Sequence, residues 1–278
     1  LKGSKITPVL SFRKTFFGYK MHSIGIDIGS TSAKVAVMEA IGEIKELFLL
    51  PTGWSSADTA MLIKERILAL DLGELYFTAT GYGRVSVPYA NKTLTEITCH
   101  ALGAHYFCKS DCTVIDVGGQ DTKAIKLENG SVTDFTMNDK CSAGTGKFLE
   151  VMSNRLGVRF DELTRLAKNS DKDISISSMC TVFAESEIIS LIAQNVSREN
   201  IAKAVIVSAI NKISNLVKKQ ANTSYFLSGG FSKSEYVREN LEACLQASVT
   251  THEDAIYCGA IGAGLAGIRN LRREDGNK

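Results

Sequence analysis

The chain has 278 residues, of which 44% are hydrophobic and 22% charged, with 23 Gly and 3 Pro. This length and composition predict one large domain or two small ones with a substantial core, and exclude a disordered, collagen-like or disulfide-scaffold protein. Its apolar runs fall short of the roughly 20 residues that a membrane helix needs. Because the formal net charge is only +2, we expect neither a nucleic-acid nor a membrane partner.

Residues 1–20 differ in charge from the rest of the chain, because they hold five Lys or Arg and no acid. We interpret this segment as an extension, either a mis-assigned start or a remnant of cloning. It lacks the continuous apolar core of a secretory signal. A basic docking arm is the alternative interpretation.

The use of cysteine indicates the compartment. The chain has seven Cys, an odd number, and their spacing does not suggest a disulfide framework. This favours a reducing cytoplasm, where a cysteine with a special role is a ligand or a nucleophile rather than half of a bridge.

The first third of the chain alternates short strands with turns and helices. Ile24, Ile26 and Ile28 alternate with Gly and Asp, as in a strand, and a polar turn leads into a second strand over 34–38. The pattern then predicts an amphipathic helix over 57–70, a strand over 75–80, a turn over 81–84 and a helix over 95–107. This order of elements is typical of an α/β protein.

The opening pattern returns 89 residues later in the chain. The segment VIDVGGQDTKAI at 114–125 aligns with GIDIGSTSAKVA at 25–36, so that Asp116 matches Asp27 and Lys123 matches Lys34. A strand that ends in Asp-x-Gly, a polar turn and a further strand therefore occur twice. The repeat predicts two halves built on one plan.

The second half of the chain is richer in helices. We predict helices over 144–156, 181–196 and 199–220, a short strand over 225–227 and a closing helix over 259–272. Gly262, Gly264 and Gly267 in the closing helix fit the G-x-G-x-x-G pattern, but no clear strand precedes them, so we assign them to helix packing. Because no Pro- or Ser-rich linker divides the chain, we expect the two halves to be interlocked.

Three glycine turns that follow strands are candidates for binding phosphate. Such a turn exposes backbone N–H groups and lets a phosphate approach closely, and nearby hydroxyl groups or a Lys add donors and charge. Asp27 and Asp116 end their strands and are of the type that holds Mg²⁺, usually through water. The predicted nucleotide-binding residues are Gly29, Ser30, Thr31, Ser32, Lys34, Gly118, Gly119, Asp121, Ser228, Gly229 and Gly230.

The order and type of these turns resemble a known superfamily. Asp27-x-Gly29-Ser30-Thr31, Asp116-x-Gly118-Gly119 and Ser228-Gly229-Gly230 resemble the phosphate and adenosine motifs of actin, Hsp70 and the sugar kinases. The resemblance implies an α/β fold of two ribonuclease-H-like domains with ATP in the cleft between them. We expect 21–95 plus 252–278 to form the first domain and 96–251 to form the second.

Cys141 and Cys180 each precede a predicted helix, in the segments NDKCSAGTGKF and SSMCTVFAESE. The N-terminus of a helix favours a thiolate and any anionic centre bound to it. Two thiolates cannot complete a four-ligand site, and a [4Fe–4S] cluster usually has four Cys ligands. A two-fold homodimer that supplies both cysteines from each subunit is one solution, and two ordinary buried thiols are the other.

These two segments and the ATP turns closely resemble the BadF/BadG/BcrA/BcrD ATPase family, over about residues 22–268. The resemblance implies a homodimer in which Cys141 and Cys180 of both subunits hold one [4Fe–4S] cluster. It also implies that ATP drives one electron from ferredoxin or flavodoxin to a client, which is a 2-hydroxyacyl-CoA dehydratase or a related reductase. ATP or ADP, Mg²⁺ and the cluster are the expected cofactors.

The residue that handles the hydrolytic water is open among several acids and an amide. Glu96 lies in the segment EITCHA at 96–101, which resembles a family motif near the nucleotide cleft. Gln120 and Asp121 are further candidates for positioning the water. Asp27, Asp116, Gln120 and Glu96 form the predicted catalytic set.

The remaining cysteines carry no strong signal. Cys108, Cys112, Cys244 and Cys258 are predicted to be packing residues. A zinc site near residues 99–112 is not favoured, because the spacing of Cys and His there matches no common zinc finger.

Two other functions are compatible with the sequence. A small-molecule kinase of the same superfamily, for example for amino sugars, needs a base beside the acceptor hydroxyl and no cluster. A nucleotide-gated assembly protein would bind ATP tightly without turnover. Replacing both Cys141 and Cys180 with Ala would spare a kinase and abolish an electron-transfer activator.

Overall fold

Two five-stranded mixed sheets form the frame of the part of the chain that the structure describes. The computed structural model describes residues 21–177 and 180–276, with only the backbone for 273–276, so the predicted extension over 1–20 lies outside the described residues. The first sheet contains β1 (Met21–Ile28), β2 (Ser32–Glu39), β3 (Ile44–Pro51), β4 (Glu74–Thr80) and β5 (Lys92–Thr93), in the order β3-β2-β1-β4-β5. The second contains β6 (Cys112–Val117), β7 (Thr122–Glu128), β8 (Ser131–Asn138), β9 (Ser224–Gly229) and β10 (Ser248–Thr250), in the order β8-β7-β6-β9-β10.

The two sheets have the same topology. In each sheet the first three strands form an antiparallel meander, and the first strand also pairs in parallel with the fourth, which pairs in parallel with the fifth. The register places Asp27 opposite Lys34 in the first sheet and Asp116 opposite Lys123 in the second. The repeat in the sequence therefore corresponds to two copies of one strand plan.

Helices surround and separate the sheets. They are α1 (Ser56–Leu68), α2 (Glu96–Cys108), α3 (Gly146–Leu156), α4 (Phe160–Lys168), α5 (Thr181–Ala193), α6 (Arg198–Val217), α7 (Glu235–Leu245) and α8 (Cys258–Gly276). Four of these helices have an N-cap side chain that accepts a hydrogen bond from the N–H three residues later. The N-cap residues are Ser55 for α1, Thr95 for α2, Ser197 for α6 and Ser234 for α7. Within the described part of the chain, no helix has the length and apolar character needed to cross a membrane.

The helices α2 and α8 pack against each other between the two sheets. The helix α8 covers β1, β2 and β4, whereas α2 contacts β6, β7 and β8. A Cβ atom on Gly262 would overlap the backbone of Cys99, and one on Gly103 would overlap the backbone of Cys258. The prediction that the glycines of the closing helix serve close packing is confirmed.

Separate apolar cores hold the two units together. In the first unit, Ile63 and Ile67 of α1 pack against Ile24, Ile26 and Ile28 of β1. In the second unit, α3, α4 and α6 pack over β6, β7 and β9. At about 1.5–3 kcal/mol for each fully buried large aliphatic side chain, such cores hold the units rigid enough to position the turns between them. The second unit is larger, because α3, α4 and α5 lie between β8 and α6.

Candidate active site

The first two glycine turns are closed in the same way. The N–H of Gly29 donates to the carbonyl of Ser32 at 3.2 Å, and the N–H of Gly118 donates to the carbonyl of Asp121 at 2.9 Å. Both turns follow the central strand of their sheet, β1 or β6. The repeat therefore extends from the strands to the hydrogen bonds of the turns.

These turns face each other across a cleft between the sheets. A Cβ atom on Gly119 would lie 2.5 Å from Thr31 Oγ1, so the second turn needs glycine there to approach the first. The cleft has a volume of about 770 Å³, which is the size of a site for a small molecule. The predicted residues that line it are Asp27, Gly29, Ser30, Thr31, Ser32, Lys34, Glu96, Asp116, Gly118, Gly119, Gln120, Asp121, Gly229 and Gly230.

Two carboxylates from different sheets lie at the floor of the cleft. Asp27 of β1 is 4% exposed and Asp116 of β6 is 2% exposed. His100 of α2 lies between them, with Nε2 3.9 Å from Asp27 Oδ2 and Nδ1 3.3 Å from Asp116 Oδ1. His100 Nδ1 is buried and makes no hydrogen bond to the described residues. Each sheet thus contributes one carboxylate with the oxygen donors that Mg²⁺ prefers.

Lys123 is surrounded by carboxylates. Its Nζ lies 2.6 Å from Asp121 Oδ2, 2.9 Å from Glu96 Oε2 and 3.7 Å from Asp116 Oδ2. Burial by itself lowers the pKa of an ammonium, but these three carboxylates raise the pKa of Lys123 above its ordinary value. Lys123 therefore stays charged and holds Glu96 of α2 against the second turn.

Lys34, the counterpart of Lys123 in the repeat, has different surroundings. Its Nζ lies beside the Gly29 turn and its side chain lines the cleft. Among the described residues, no carboxylate lies within 4 Å of its Nζ, and the side chain is half-buried. The ammonium of Lys34 is therefore available to an anionic ligand.

Ser228 does not line the cleft with the two glycines that follow it. It is fully buried, and its Oγ donates to Asp116 Oδ1 at 2.9 Å. Burial by itself raises the pKa of this carboxyl, but the charges of His100 and Lys123 hold its pKa below the ordinary value. In this structure Ser228 binds a carboxylate of the site, and the positive φ of Gly229 (+77°) turns the chain into the cleft wall.

Part of the cleft wall was missed by sequence analysis. Arg159 and Phe160, where α4 begins, line the cleft with Phe231, and the two phenylalanine rings stack with centroids 5.5 Å apart. These residues have no signal in the sequence, because the fold alone brings them together. The sequence did single out Lys123, because it aligns with Lys34 in the repeat, but nothing in the sequence indicated its contact with Glu96.

The segments that contain Cys141 and Cys180 lie side by side. Both cysteines are exposed. The next residue after each one takes part in a shared hydrogen bond, with Ser142 Oγ and Thr181 Oγ1 2.7 Å apart. Because α3 and α5 also pack against each other, the two thiols belong to one surface region.

The two cysteines differ in their relation to the following helix. Cys180 is the N-cap of α5, as predicted. Cys141 instead lies in a loop before α3, because Gly144 has a φ of +84°, which a right-handed helix cannot accommodate. The expectation that Cys141 directly precedes a helix is therefore wrong, and α3 begins only at Gly146.

The loop after Cys141 is attached to the second glycine turn. The N–H of Gly146 donates to the carbonyl of Gly118 at 2.9 Å, and the N–H of Lys147 donates to the carbonyl of Gly119 at 2.8 Å. The hydroxyl of Thr122 also donates to the carbonyl of Gly144 at 2.8 Å. The turn that faces the cleft and the loop that holds Cys141 therefore form one hydrogen-bonded unit.

Two repeated sheets with facing glycine turns define the actin, Hsp70 and sugar-kinase fold, as predicted. The structure is similar to that of a ROK family glucokinase from Streptomyces griseus, solved with glucose and AMPPNP, with a TM-score of 0.58. The match covers 88% of this chain and 98% of the glucokinase chain. At 14% identity this is a likeness of fold alone.

The chain belongs to the BadF/BadG/BcrA/BcrD ATPase family, whose model matches residues 24–267. The (R)-2-hydroxyglutaryl-CoA dehydratase activating ATPase of Acidaminococcus fermentans is 39% identical over 250 residues, which cover 88% of this chain and 96% of the relative. The activator of the 2-hydroxyisocaproyl-CoA dehydratase from Clostridium difficile, solved with ADPNP, is 32% identical, with a TM-score of 0.86. That match covers 93% of this chain and 98% of the other. The predicted family is therefore confirmed.

Proposed function

We propose that this chain is an ATP-driven activator of a 2-hydroxyacyl-CoA dehydratase or a related reductase. It receives one electron from ferredoxin or flavodoxin and passes it to the client in a step that ATP binding and hydrolysis drive. The observation that carries the proposal is the hydrogen-bonded unit that joins the second phosphate turn to the loop with Cys141. Relatives of similar length that are dehydratase activators support it.

In this proposal the phosphates of ATP lie between the two facing turns. Backbone N–H groups and the hydroxyls of Ser30 and Thr31 bind phosphate oxygens, and the unpaired ammonium of Lys34 offsets their charge. Asp27 and Asp116 would hold Mg²⁺, which would supply positive charge to the phosphates. Both carboxylates are buried, and each comes from a different sheet. The adenosine lies toward the third turn and the stacked Phe160.

Glu96 is the residue that we propose orients the attacking water. Its carboxylate is held by Lys123 at 2.9 Å, lines the cleft and remains 24% exposed, so it is both fixed and reachable. A base that has to act on a bound water needs this combination. Gln120 also lines the cleft, but it is exposed and makes no hydrogen bond to the described residues. Asp121, on the same lysine, is the second candidate.

The exposed thiols suit half of a [4Fe–4S] site. Thiolates are the preferred ligands of iron–sulfur clusters, and Cys141 and Cys180 lie on adjacent segments. We propose that a second subunit supplies the same two residues around a two-fold axis. A cluster bound there supplies a one-electron carrier. The N–H groups at the start of α5 favour the negative charge of such a centre on the Cys180 side.

An apolar surface beside Cys180 supports the homodimer. Val182 and Phe183 are 65% and 67% exposed, and Ile189 and Ile192 of the same helix are also exposed. Exposed apolar side chains of this size on one helix are typical of a surface that a partner covers. A second copy of α5 is the partner that the two-fold arrangement of ligands requires.

The proposed coupling between ATP and the cysteines follows the hydrogen bonds. A phosphate that binds or leaves the Gly118 turn changes the position of the carbonyls that accept from the start of α3. This shifts the loop with Cys141, and the hydrogen bond between Ser142 and Thr181 transmits the shift to α5. The result is a hinge-type movement of the two segments that carry the ligands.

A client assay with matched variants tests the proposal. Under anaerobic conditions, ATP-dependent reduction of a purified 2-hydroxyacyl-CoA dehydratase is measured for the parent chain and for C141S, C180S and C244S. We expect the first two variants to lose electron transfer and C244S, on α7 and away from both sites, to keep it. Full electron transfer by C141S, or phosphoryl transfer from ATP to an amino sugar by the parent chain, would contradict the proposal.

A further inference from the structure

A second pair of cysteines lies away from the nucleotide cleft and from the exposed thiols. Cys108 is the last residue of α2 and Cys112 is the first residue of β6. Their Sγ atoms are 3.5 Å apart, so the two thiols are in direct contact. Cys108 is half-buried, whereas Cys112 is 1% exposed. Solvent therefore reaches Cys108 but not Cys112, although the two thiols touch. The prediction that both are packing residues does not explain this arrangement.

We propose that Cys108 and Cys112 form a thiol–disulfide exchange site for low-molecular-weight disulfides. Cys108, which solvent reaches, is the attacking thiol, and the buried Cys112 is the resolving thiol. This site is independent of the proposed electron transfer, because neither residue lies in the cleft or beside Cys141.

The surroundings of Cys108 favour its thiolate. The hydrogen bond with Cys112 lowers the pKa of Cys108 to about 6, against the effect of burial, while the same contact raises the pKa of Cys112. His105, one helical turn earlier, adds to the effect on Cys108.

Two other buried cysteines provide the contrast. Burial raises the pKa of Cys99 to about 12 and also raises the pKa of Cys258 well above its ordinary value. Such thiols are unreactive at neutral pH, because the thiolate is the nucleophile. Of the cysteines that α2 contributes, only Cys108 therefore combines access with acidity.

The exchange proceeds in two balanced steps. The Cys108 thiolate attacks one sulfur of glutathione disulfide, a new S–S bond forms to Cys108, and one glutathione thiolate leaves and takes up the proton that Cys108 gave to solvent. The Cys112 sulfur then attacks the Cys108 sulfur, the bond between Cys108 and glutathione breaks, and the second glutathione leaves as a thiol with the proton that Cys112 gives up. The protein loses two electrons and two protons, and one disulfide becomes two thiols.

The sulfur atoms are close enough for the final bond to form. The two sulfur atoms have to approach by about 1.5 Å to reach the length of a disulfide, a movement within the range of side-chain rotation. Lys109 ends α2 in the left-handed conformation, with a φ of 51°, so the chain turns back at once and brings Cys112 beside the helix end. The bond would join neighbouring segments of the second unit and would not span the cleft.

Mass spectrometry of the full chain tests the site directly. The reduced protein is equilibrated with glutathione and glutathione disulfide, alkylated and digested with trypsin without reduction. Because Lys109 separates the two cysteines, a disulfide between them appears as two linked peptides, 93–109 and 110–123, and the fragment spectra locate the bond at Cys108 rather than at Cys99 of the same peptide. We expect this linked product at oxidising ratios and its disappearance in both C108S and C112S.

The single variants distinguish attack from resolution. C112S is expected to accumulate one glutathione on Cys108, whereas C108S leaves Cys112 as a thiol. At pH 7, Cys108 should be alkylated about two- to threefold faster than the half-buried Cys244, because its lowered pKa leaves it mostly ionised and this outweighs the lower nucleophilicity of a more acidic thiol. Linkage of Cys112 to Cys99, or unmodified Cys108 where Cys244 is already modified, would overturn the proposal.

Discussion

The two glycine turns share a sequence plan and a backbone geometry, yet their lysines have different surroundings. Lys34 lines the cleft with no described carboxylate within 4 Å, whereas Lys123 bonds to Asp121 and Glu96. The difference arises because α2 presents Glu96 to the second turn, and the described residues offer no equivalent acid to the first. The two lysines hold equivalent positions in the repeat but differ in role: Lys34 is available to a ligand, whereas Lys123 binds the protein's own carboxylates.

The same inequality holds on a larger scale. The two sheets have equal strand orders, but only the second unit carries α3, α4 and α5 between its third strand and the next long helix. These helices bring Cys141 and Cys180 together and attach them to the second turn. The first unit therefore contributes to the nucleotide cleft alone, while the second also connects that cleft to the exposed pair of thiols.

The largest expected effect comes from removing the cation of the second turn. K123M leaves Glu96, Asp121 and the buried Asp116 without their shared partner, and we expect a loss of about 3–5 kcal/mol in the free energy of unfolding. Urea unfolding at pH 7 measures it. The control is K126M on the same strand, whose exposed pair with Glu128 predicts a much smaller loss. Equal losses for the two variants would show that Lys123 does not organise the acids.

Removing the acid that Lys123 holds separates catalysis from binding. We expect E96Q to lower kcat for ATP hydrolysis at least about 100-fold, because the water loses its oriented base, with little change in KM. Steady-state phosphate release measures both constants. D121N is the matched variant at the same ammonium. A larger loss in D121N than in E96Q would transfer the role to Asp121.

Removing the cation of the first turn is expected to act on the ligand instead. K34M loses a charged contact to phosphate worth about 1.5–3 kcal/mol, so the Kd for ATP should rise about 10- to 100-fold. The free energy of unfolding should change little, because Lys34 has no described carboxylate partner to leave behind. Calorimetric titration with ATP and urea unfolding are the two measurements. A K34M variant that is strongly destabilised but binds ATP normally would show that Lys34 supports the fold rather than the ligand, which contradicts the comparison with Lys123.

The smallest effect concerns the pH dependence of Asp116. Its pKa is lowered in the folded state, so its ionised form adds stability above pH of about 4, and this contribution is lost as the pH falls through the folded pKa. S228A removes one hydrogen bond to this carboxylate and should cost about 1–2 kcal/mol at pH 7. The difference from the parent chain should shrink in acid. A difference that stays constant while the pH falls through the folded pKa of Asp116 would show that the hydroxyl does not act through the carboxylate.

Much of the frame follows from local patterns in the sequence. The alternation around Asp27 and its repetition around Asp116 predicted two similar units, because strand periodicity and glycine turns are local properties. The sequence did not indicate which lysine is enclosed by acids, since Glu96 reaches Lys123 only through the placement of α2. It also did not show that Gly144 delays the start of α3, because glycine is compatible with both the helical and the left-handed conformation.

The most direct test of the account is the composition of the purified protein. The chain and its C141S and C180S variants are prepared without oxygen, and iron, acid-labile sulfide and mass in solution are measured together. The account predicts about four iron and four sulfide per dimer in the parent chain, and loss of both in each variant. An iron-free monomer after cluster reconstitution would contradict the shared centre, and with it the proposed path from the second glycine turn to the thiols.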